Sequence, residues 1–170
     1  MEKLTKRESQ VLTELLKNAK TTDQEIARRI GISRPGVAKI RERLETRGII
    51  KGYRALPNYE KLDLKIHAII LYRWKDYSKK QELEEVIEYI KKQPQIILFV
   101  KGEGMGSKTD AIISLHEQLE DYEKFIRSLK NVWKDNVEDI EVFLSSASGI
   151  NKEYSLNSPA LEKISQIVKQ

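Results

Sequence analysis

The sequence predicts an α+β chain in two parts. The first is an N-terminal three-helix helix-turn-helix domain, winged-helix-like. The second is a C-terminal ferredoxin-like βαββαβ domain, followed by a short C-terminal helix. Three observations predict this. Thr5, Thr22 and Ser33 each stand as a helix cap before a short run with helical apolar spacing. From residue 65 onward, β-branched runs and amphipathic runs alternate as strand, helix, strand, strand, helix, strand. The charge divides at the same place: residues 1–55 hold 14 Lys/Arg against 7 Asp/Glu, whereas residues 56–170 hold 17 against 19. The boundaries follow as 1–50 for the helix-turn-helix, 51–64 for a linker strand and turn, 65–146 for the second domain and 147–170 for a C-terminal extension.

The first helix opens at Thr5, with Glu8 placed to complete a capping box, and buries Val11, Leu12, Leu15 and Leu16. The second opens at Thr22 with Glu25 three residues on, and carries Ile26, Ala27 and Ile30 as a stripe. Gly31 is the residue that most readily takes the left-handed turn ending it. Ser33 caps the third helix and Pro35 fits its first turn, where amides lack an intrahelical partner. Val37, Ile40 and Leu44 face inward, and Arg34, Lys39, Arg41 and Arg43 face outward. Gly48–Ala55 reads as extended, a wing or a linker strand pairing elsewhere, and 56–63 as a turn around Pro57 and Asn58.

In the second domain, residues 65–74 form the first strand, apolar on both faces through Ile66, Ala68, Ile70 and Tyr72 against His67, Ile69 and Leu71. Ser78 with Gln81 is a capping box for a helix striped by Leu83, Val86, Ile87 and Ile90, with Pro94 beyond its end. Strands follow at 96–101 and 110–116, joined by a glycine-bearing loop. The next helix presents Leu119, Tyr122, Ile126, Leu129 and Trp133. The fourth strand is 137–144, with Ile140, Val142 and Leu144 on one face. A four-stranded antiparallel sheet with both helices on one side leaves its other face open, and an apolar open face calls for a partner subunit. Residues 145–157 read as polar and irregular. Ser158-Pro159 caps a last helix, with Leu161, Ile164 and Val168 on one side, able to fold onto the sheet or onto a partner.

Composition narrows the chemistry. The chain of 170 residues contains no cysteine, which removes disulfides, thiolate nucleophiles and Cys-ligated metals. No apolar run reaches membrane-spanning length and no signal-peptide pattern opens the chain, so a cytoplasmic protein without membrane partners is expected. The two histidines, His67 and His116, stand beside no nucleophile or ligand set. His67 reads as a packed or interface residue and His116 as a cap or surface residue. No catalytic residue, metal or cofactor is expected.

The basic excess of the first part is the footprint of a polyanion, and in a helix-turn-helix that polyanion is double-stranded DNA. Ser33, Arg34, Pro35 and Gly36 occupy the turn that meets base edges, with Arg34 the candidate for a bidentate contact to guanine and Gly36 allowing close backbone approach. Lys39, Arg41 and Arg43 are candidates for phosphates, which set register and salt dependence. For Arg43 the alternative is a surface pair with Glu42 or Glu45. Thr22 and Gln24 can hold a phosphate at the amide-rich helix start, and Lys51 and Arg54 can do so from the linker. Against each stands the plainer reading of a solvated surface cation.

These residues resemble a known family. Glu25-Ile26-Ala27, Gly31-Ile32-Ser33, Val37, Arg43-Leu44-Glu45 and above all Gly48-Ile-Ile-Lys-Gly-Tyr-Arg-Ala55 are similar to the leucine-responsive regulatory protein/AsnC family of transcription regulators, and the βαββαβ order after them matches. The resemblance covers about residues 4–146. It implies sequence-specific DNA binding, a homodimer built through the C-terminal domains and often assembled into octamers, and a small effector, commonly an amino acid. It also implies an effector site near the loop between the second and third strands. There Gly102 and Asp110 match the ends of the family's Gly-x-x-Asp, with seven residues between them instead of two. Ile40-Arg41 departs too, where the family more often has a polar residue followed by an apolar one. Two other functions fit the same outline: an enzyme resembling siroheme decarboxylases, and a non-specific architectural DNA-binding protein. The Lys51-Gly52-Tyr53 run with the basic helix weighs against the enzyme.

Overall fold

A computed structural model describes residues 4–150 and 157–168, with nothing stated of the side chains of residues 105, 157, 158 and 165–168. The expectations for residues 151–156, and for the side chains of Ser158 and Val168, lie outside the described residues. The chain divides into two units. One comprises residues 1–56 with 153–170, and the other residues 57–152.

The first unit is built on α1 (Lys6–Lys17), α2 (Asp23–Ile30) and α3 (Arg34–Thr46). Both capping boxes form: Thr5 and Thr22 accept the amides of Glu8 and Glu25, whose carboxylates take the cap amides in return. Gly31 adopts φ +68°, which lets the chain reverse into α3. Val11, Leu15, Ile26, Ala27 and Val37 form the core between the three helices. Polar ties add to it: Arg29 reaches Glu14 at 2.7 Å, and Arg7 donates to the Ile30 carbonyl at 2.6 Å. A second apolar cluster joins Leu12 and Leu44 to Ile164 of α6 (Asn157–Val168). The last helix therefore completes the first unit, where the sequence reading placed it on the sheet or a partner. The reason is that Leu12 and Leu44 leave an apolar flank that three short helices do not close.

Residues 48–55 form no strand. Ile49 and Ile50 return their amides to the Leu44 carbonyl, and residues 51–58 run exposed without a ladder among the described residues. The expected wing or linker strand is thus absent. Extended propensity needs a partner edge, and within these residues none is offered.

The second unit carries β1 (Ile66–Trp74), α4 (Lys80–Lys91), β2 (Ile96–Lys101), β3 (Asp110–His116), α5 (Leu119–Trp133) and β4 (Val137–Ser146). All pairings are antiparallel in the order β2-β3-β1-β4. Ala68, Ile70, Tyr72 and Trp74 alternate along β1 into one core with Val86 and Ile90 of α4 and with Tyr122, Phe125, Leu129 and Trp133 of α5. Both helices therefore cover the same face.

Four details differ from expectation. Ser78 and Gln81 make no capping box. The Ser78 amide donates to the Asp76 carboxylate at 2.8 Å, so a local turn consumes it and α4 starts two residues later. Leu119 is exposed and Phe125 takes the buried position instead. Ser145 and Ser146 extend β4 instead of starting an irregular stretch, because both pair with β1. His116 is buried, ringed by Tyr122 and Phe125, with Nε2 2.9 Å from the Ser114 hydroxyl.

The other face of the sheet is open and apolar. Ile69 lies opposite Ile113 on one side and Phe143 on the other, and Phe143 is 63% exposed. On edge strand β4, Val142 and Leu144 are exposed as well, so around Phe143 this strand is uncovered on both faces, while Val137 at its start is buried.

Candidate nucleic-acid interface

The recognition helix α3 is held from three sides. At its start the Ser33 hydroxyl accepts the Gly36 amide at 3.2 Å. A Cβ at Gly36 would come within 3.1 Å of that same hydroxyl, so glycine there spares the cap. In its middle, Arg41 turns back onto the first residue of α2: Nε and Nη2 donate to Asp23 Oδ1 at 2.9 and 2.6 Å. At its end, Arg47 and Arg43 approach Glu8 of α1 at 2.9 and 3.5 Å.

These ties sort the cations that the sequence groups together. Arg34 and Lys39 are exposed, with no ion-pair partner among the described residues. Pro35 is exposed beside them, and Thr22 and Gln24 stand exposed at the start of α2. Lys51 and Arg54 are exposed on the segment leaving α3. Arg41 is different. Its guanidinium is bonded to Asp23, to the Thr21 carbonyl at 3.4 Å and to the Tyr53 hydroxyl at 3.2 Å, so the residue expected at a phosphate also serves as an internal strut. Arg43 pairs with neither Glu42 nor Glu45. It leans toward Glu8, a residue 35 positions away, while half of its side chain stays exposed. Free positive charge on α3 is therefore concentrated in its first two turns.

Electrostatics reinforce the frame. The Thr5 amide bonded to Glu8 holds that carboxylate below its usual range, against the cost of its burial. The Thr22 amide does the same for Glu25. Burial, with the bond to Glu45, raises the Tyr53 hydroxyl, so it stays protonated at neutral pH.

In the second unit, Gly102 and Asp110 close one hairpin, in which the Gly102 amide donates to the Thr109 carbonyl at 2.9 Å and Gly104 to Lys108 at 2.8 Å. Gly102 is exposed. Asp110 is 5% exposed, accepts from the Thr109 hydroxyl at 2.6 Å, and is raised by its burial. Lys108, also buried, pairs with Glu141 at 2.9 Å.

Sequence reasoning missed Asp23, Glu45 and Tyr53 as parts of the interface frame, and missed the Glu8 anchor as a partner for arginine. Tyr53 is separated from its partners by the helix end, and no local period connects it to them. Among the described residues no group of His, Asp and Glu is arranged to hold a metal ion, and no helix is long and apolar enough to cross a membrane.

Comparison with known proteins matches this geometry. Residues 4–51 match the winged helix-turn-helix DNA-binding family. An HTH-type transcriptional regulator of Pyrococcus furiosus is 35% identical over 104 residues, 60% of this chain and 69% of that protein. One from Bacillus subtilis is 39% identical over 62 residues, 36% of this chain and 45% of that protein, so this chain spans less than half of that relative. The leucine-responsive regulatory protein of Haemophilus influenzae is 37% identical over 60 residues, 35% of this chain and 36% of that protein. Among solved structures, an AsnC family transcriptional regulator from Agrobacterium tumefaciens superposes with a TM-score of 0.77 at 16% identity, covering 90% of this chain and 95% of that one. A transcriptional regulator of Neisseria meningitidis, solved as its L-Met complex, superposes with a TM-score of 0.75 at 18% identity, covering 91% and 96%. Those two likenesses are of fold. Sequence, fold and the pattern of free cations on α3 agree: the chain belongs to the HTH-type transcriptional regulators, is similar over its helix-turn-helix to a leucine-responsive regulatory protein, and shares the fold of AsnC family regulators.

Proposed function

We propose that this protein is a sequence-specific transcription regulator that binds double-stranded DNA as a homodimer or larger assembly and responds to a small effector, with an amino acid as the class to test. The observation that carries the DNA reading is the pairing pattern on α3: Arg34 and Lys39 are free at its N-terminal half, while Arg41, Arg43 and Arg47 are tied to acids. A helix-turn-helix presents that N-terminal half to base edges. Arg34 takes the base contact, supported by Ser33, Pro35 and Gly36. Lys39, Thr22, Gln24, Lys51 and Arg54 take phosphates, with Arg43 at the edge of the set.

The open sheet face, with Phe143 exposed beside Ile69, supports self-association, since a soluble monomer rarely leaves such a patch bare. The Neisseria relative's complex with L-methionine supports an amino-acid effector, and the Gly102–Asp110 hairpin is the candidate region. Because the Asp110 carboxylate is turned inward, the exposed Gly102–Gly104 backbone is the part able to meet a ligand.

The test is a gel shift and footprint on the gene's own upstream region, run across a salt gradient, against random duplex, and with a panel of amino acids. A protected site that outcompetes random DNA and weakens steeply with salt is expected. Equal affinity for both duplexes points to an architectural protein. No shift at low salt removes the DNA reading. Light scattering reports the assembly.

A further inference from the structure

The segment 51–56 leaves α3 exposed and without a ladder among the described residues, yet one of its side chains is fastened at several points. The Tyr53 hydroxyl donates to Glu45 Oε1 at 2.8 Å and accepts from Arg41 Nη1 at 3.2 Å. The Arg41 guanidinium lies 5.7 Å from the centre of the Tyr53 ring, within cation–π range. The remaining Arg41 nitrogens grip Asp23 at the start of α2. One chain of charge-assisted bonds therefore runs from α2 through α3 to the departing segment.

We infer that Tyr53 is a positioning residue that fixes the direction in which the chain leaves the DNA-reading head, by clamping residues 51–56 to α3 through Arg41 and Glu45. Holding an extended backbone in one path is costly in entropy, and a segment with no ladder needs some other anchor. Tyr53 supplies it at the third residue after Ile50. Arg41 and Asp23 are both largely screened from solvent, with side chains 21% and 25% exposed, so the pair that anchors Arg41 is less weakened by salt than a surface pair. Both hydroxyl bonds of Tyr53 go to side chains of α3, so Tyr53 acts by holding the segment to that helix.

The consequence rests on the proposed dimeric DNA binding. Two heads with fixed exit directions accept half-sites at one helical phase, with the preference repeating every ~10–10.5 base pairs. Two heads with loose exits accept many spacings. Tyr53→Phe keeps the ring over the guanidinium and removes both hydroxyl bonds.

The experiment uses the full chain, comparing the parent protein with Tyr53→Phe, Glu45→Ala and the conservative Glu45→Gln, whose amide oxygen still accepts the hydroxyl. The first readout needs no DNA: trypsin cleavage after Lys51 and Arg54 under native conditions. Cleavage accelerates by about threefold to tenfold in Glu45→Ala, the range expected for losing one such bond, by at least as much in Tyr53→Phe, which loses two, and stays near the parent rate in Glu45→Gln. Unchanged cleavage in Tyr53→Phe overturns the clamp. The second readout is affinity for the footprinted half-site alone and for two half-sites moved apart one base pair at a time. Tyr53→Phe flattens the spacing preference by a similar factor, beyond whatever the loosened Lys51 and Arg54 cost on the single half-site. An equal loss on both probes, or an unchanged spacing profile, overturns the positioning role. If the parent protein binds no duplex at all, the DNA reading fails while the cleavage result still decides the clamp.

Discussion

Arg47 and Glu8 meet at 2.9 Å across 39 positions of sequence, joining the residue after α3 to the first turn of α1. Glu8 is 2% exposed and already serves the Thr5 amide, so one carboxylate closes a helix start and anchors the recognition helix. Glu8→Gln keeps the cap and removes the charge. A loss of about 1–2 kcal/mol is expected in denaturant unfolding, since bonds to charged groups are worth roughly twice neutral ones. The folded-state pKa of Glu8 is lowered, so its contribution is present above the unfolded value of about 4.3 and disappears as pH falls through the folded value. The parent and Glu8→Gln stabilities therefore converge in acid.

His116 works in the opposite chemical sense. Burial lowers its pKa, so the folded protein holds it neutral while the unfolded chain protonates near pH 6.5. The unfolded state binds the extra proton, and stability falls as pH drops from about 6.5 toward the folded value. Denaturant midpoints at pH 7.5 and 5.5 measure this. His116→Phe, which keeps a ring against Tyr122 and Phe125, is expected to show a smaller drop between those two conditions.

Thr22 tests the second capping box. Thr22→Ala removes an acceptor for the Glu25 amide and is expected to cost about 1 kcal/mol. Because the Glu25 carboxylate still reaches the residue 22 amide, the value should fall short of the largest caps known.

On the proposed interface, Arg34 and Lys39 separate specificity from affinity. Arg34→Ala is expected to cost about 1–3 kcal/mol on the footprinted site and to relax base preference at one position of each half-site. Lys39→Ala is expected to weaken all duplexes alike and to reduce the salt slope by about 1. Competition against single-base variants at two salt concentrations measures both. Matching behaviour of the two variants would show that their roles are misassigned.

Ile164 is 5% exposed and closes the cluster with Leu12 and Leu44. Ile164→Ala is expected to destabilise the first unit by about 2–4 kcal/mol, read as a lowered midpoint in thermal unfolding.

Caps and periods in the sequence were enough to place the helices of the head and the four strands. They are local signals, in which Thr5 answers Glu8, and Thr22 answers Glu25, within a single turn. Side-chain alternation similarly exposed both faces of β1, and so the open sheet. What was not legible is what long-range partners decide. Ser78 looks like a cap until Asp76 takes its amide. Arg41 looks like a phosphate ligand until Asp23, 18 residues earlier, is brought beside it. His116 looks like a junction residue until α5 lays Tyr122 and Phe125 over it. The last helix carries an apolar stripe, but a stripe does not name its target, and Leu12 and Leu44 supplied it.

That last helix has a bearing on how the protein is made. The reading head is a discontinuous domain whose final piece follows the whole of the second unit in the sequence. During synthesis its three leading helices emerge first and wait, with Leu12 and Leu44 bare, while more than a hundred further residues are translated. A premature stop codon anywhere in the sheet would release a fragment that still carries Arg34 and Lys39 but retains a sticky flank, a product suited to aggregation or to capture by chaperones.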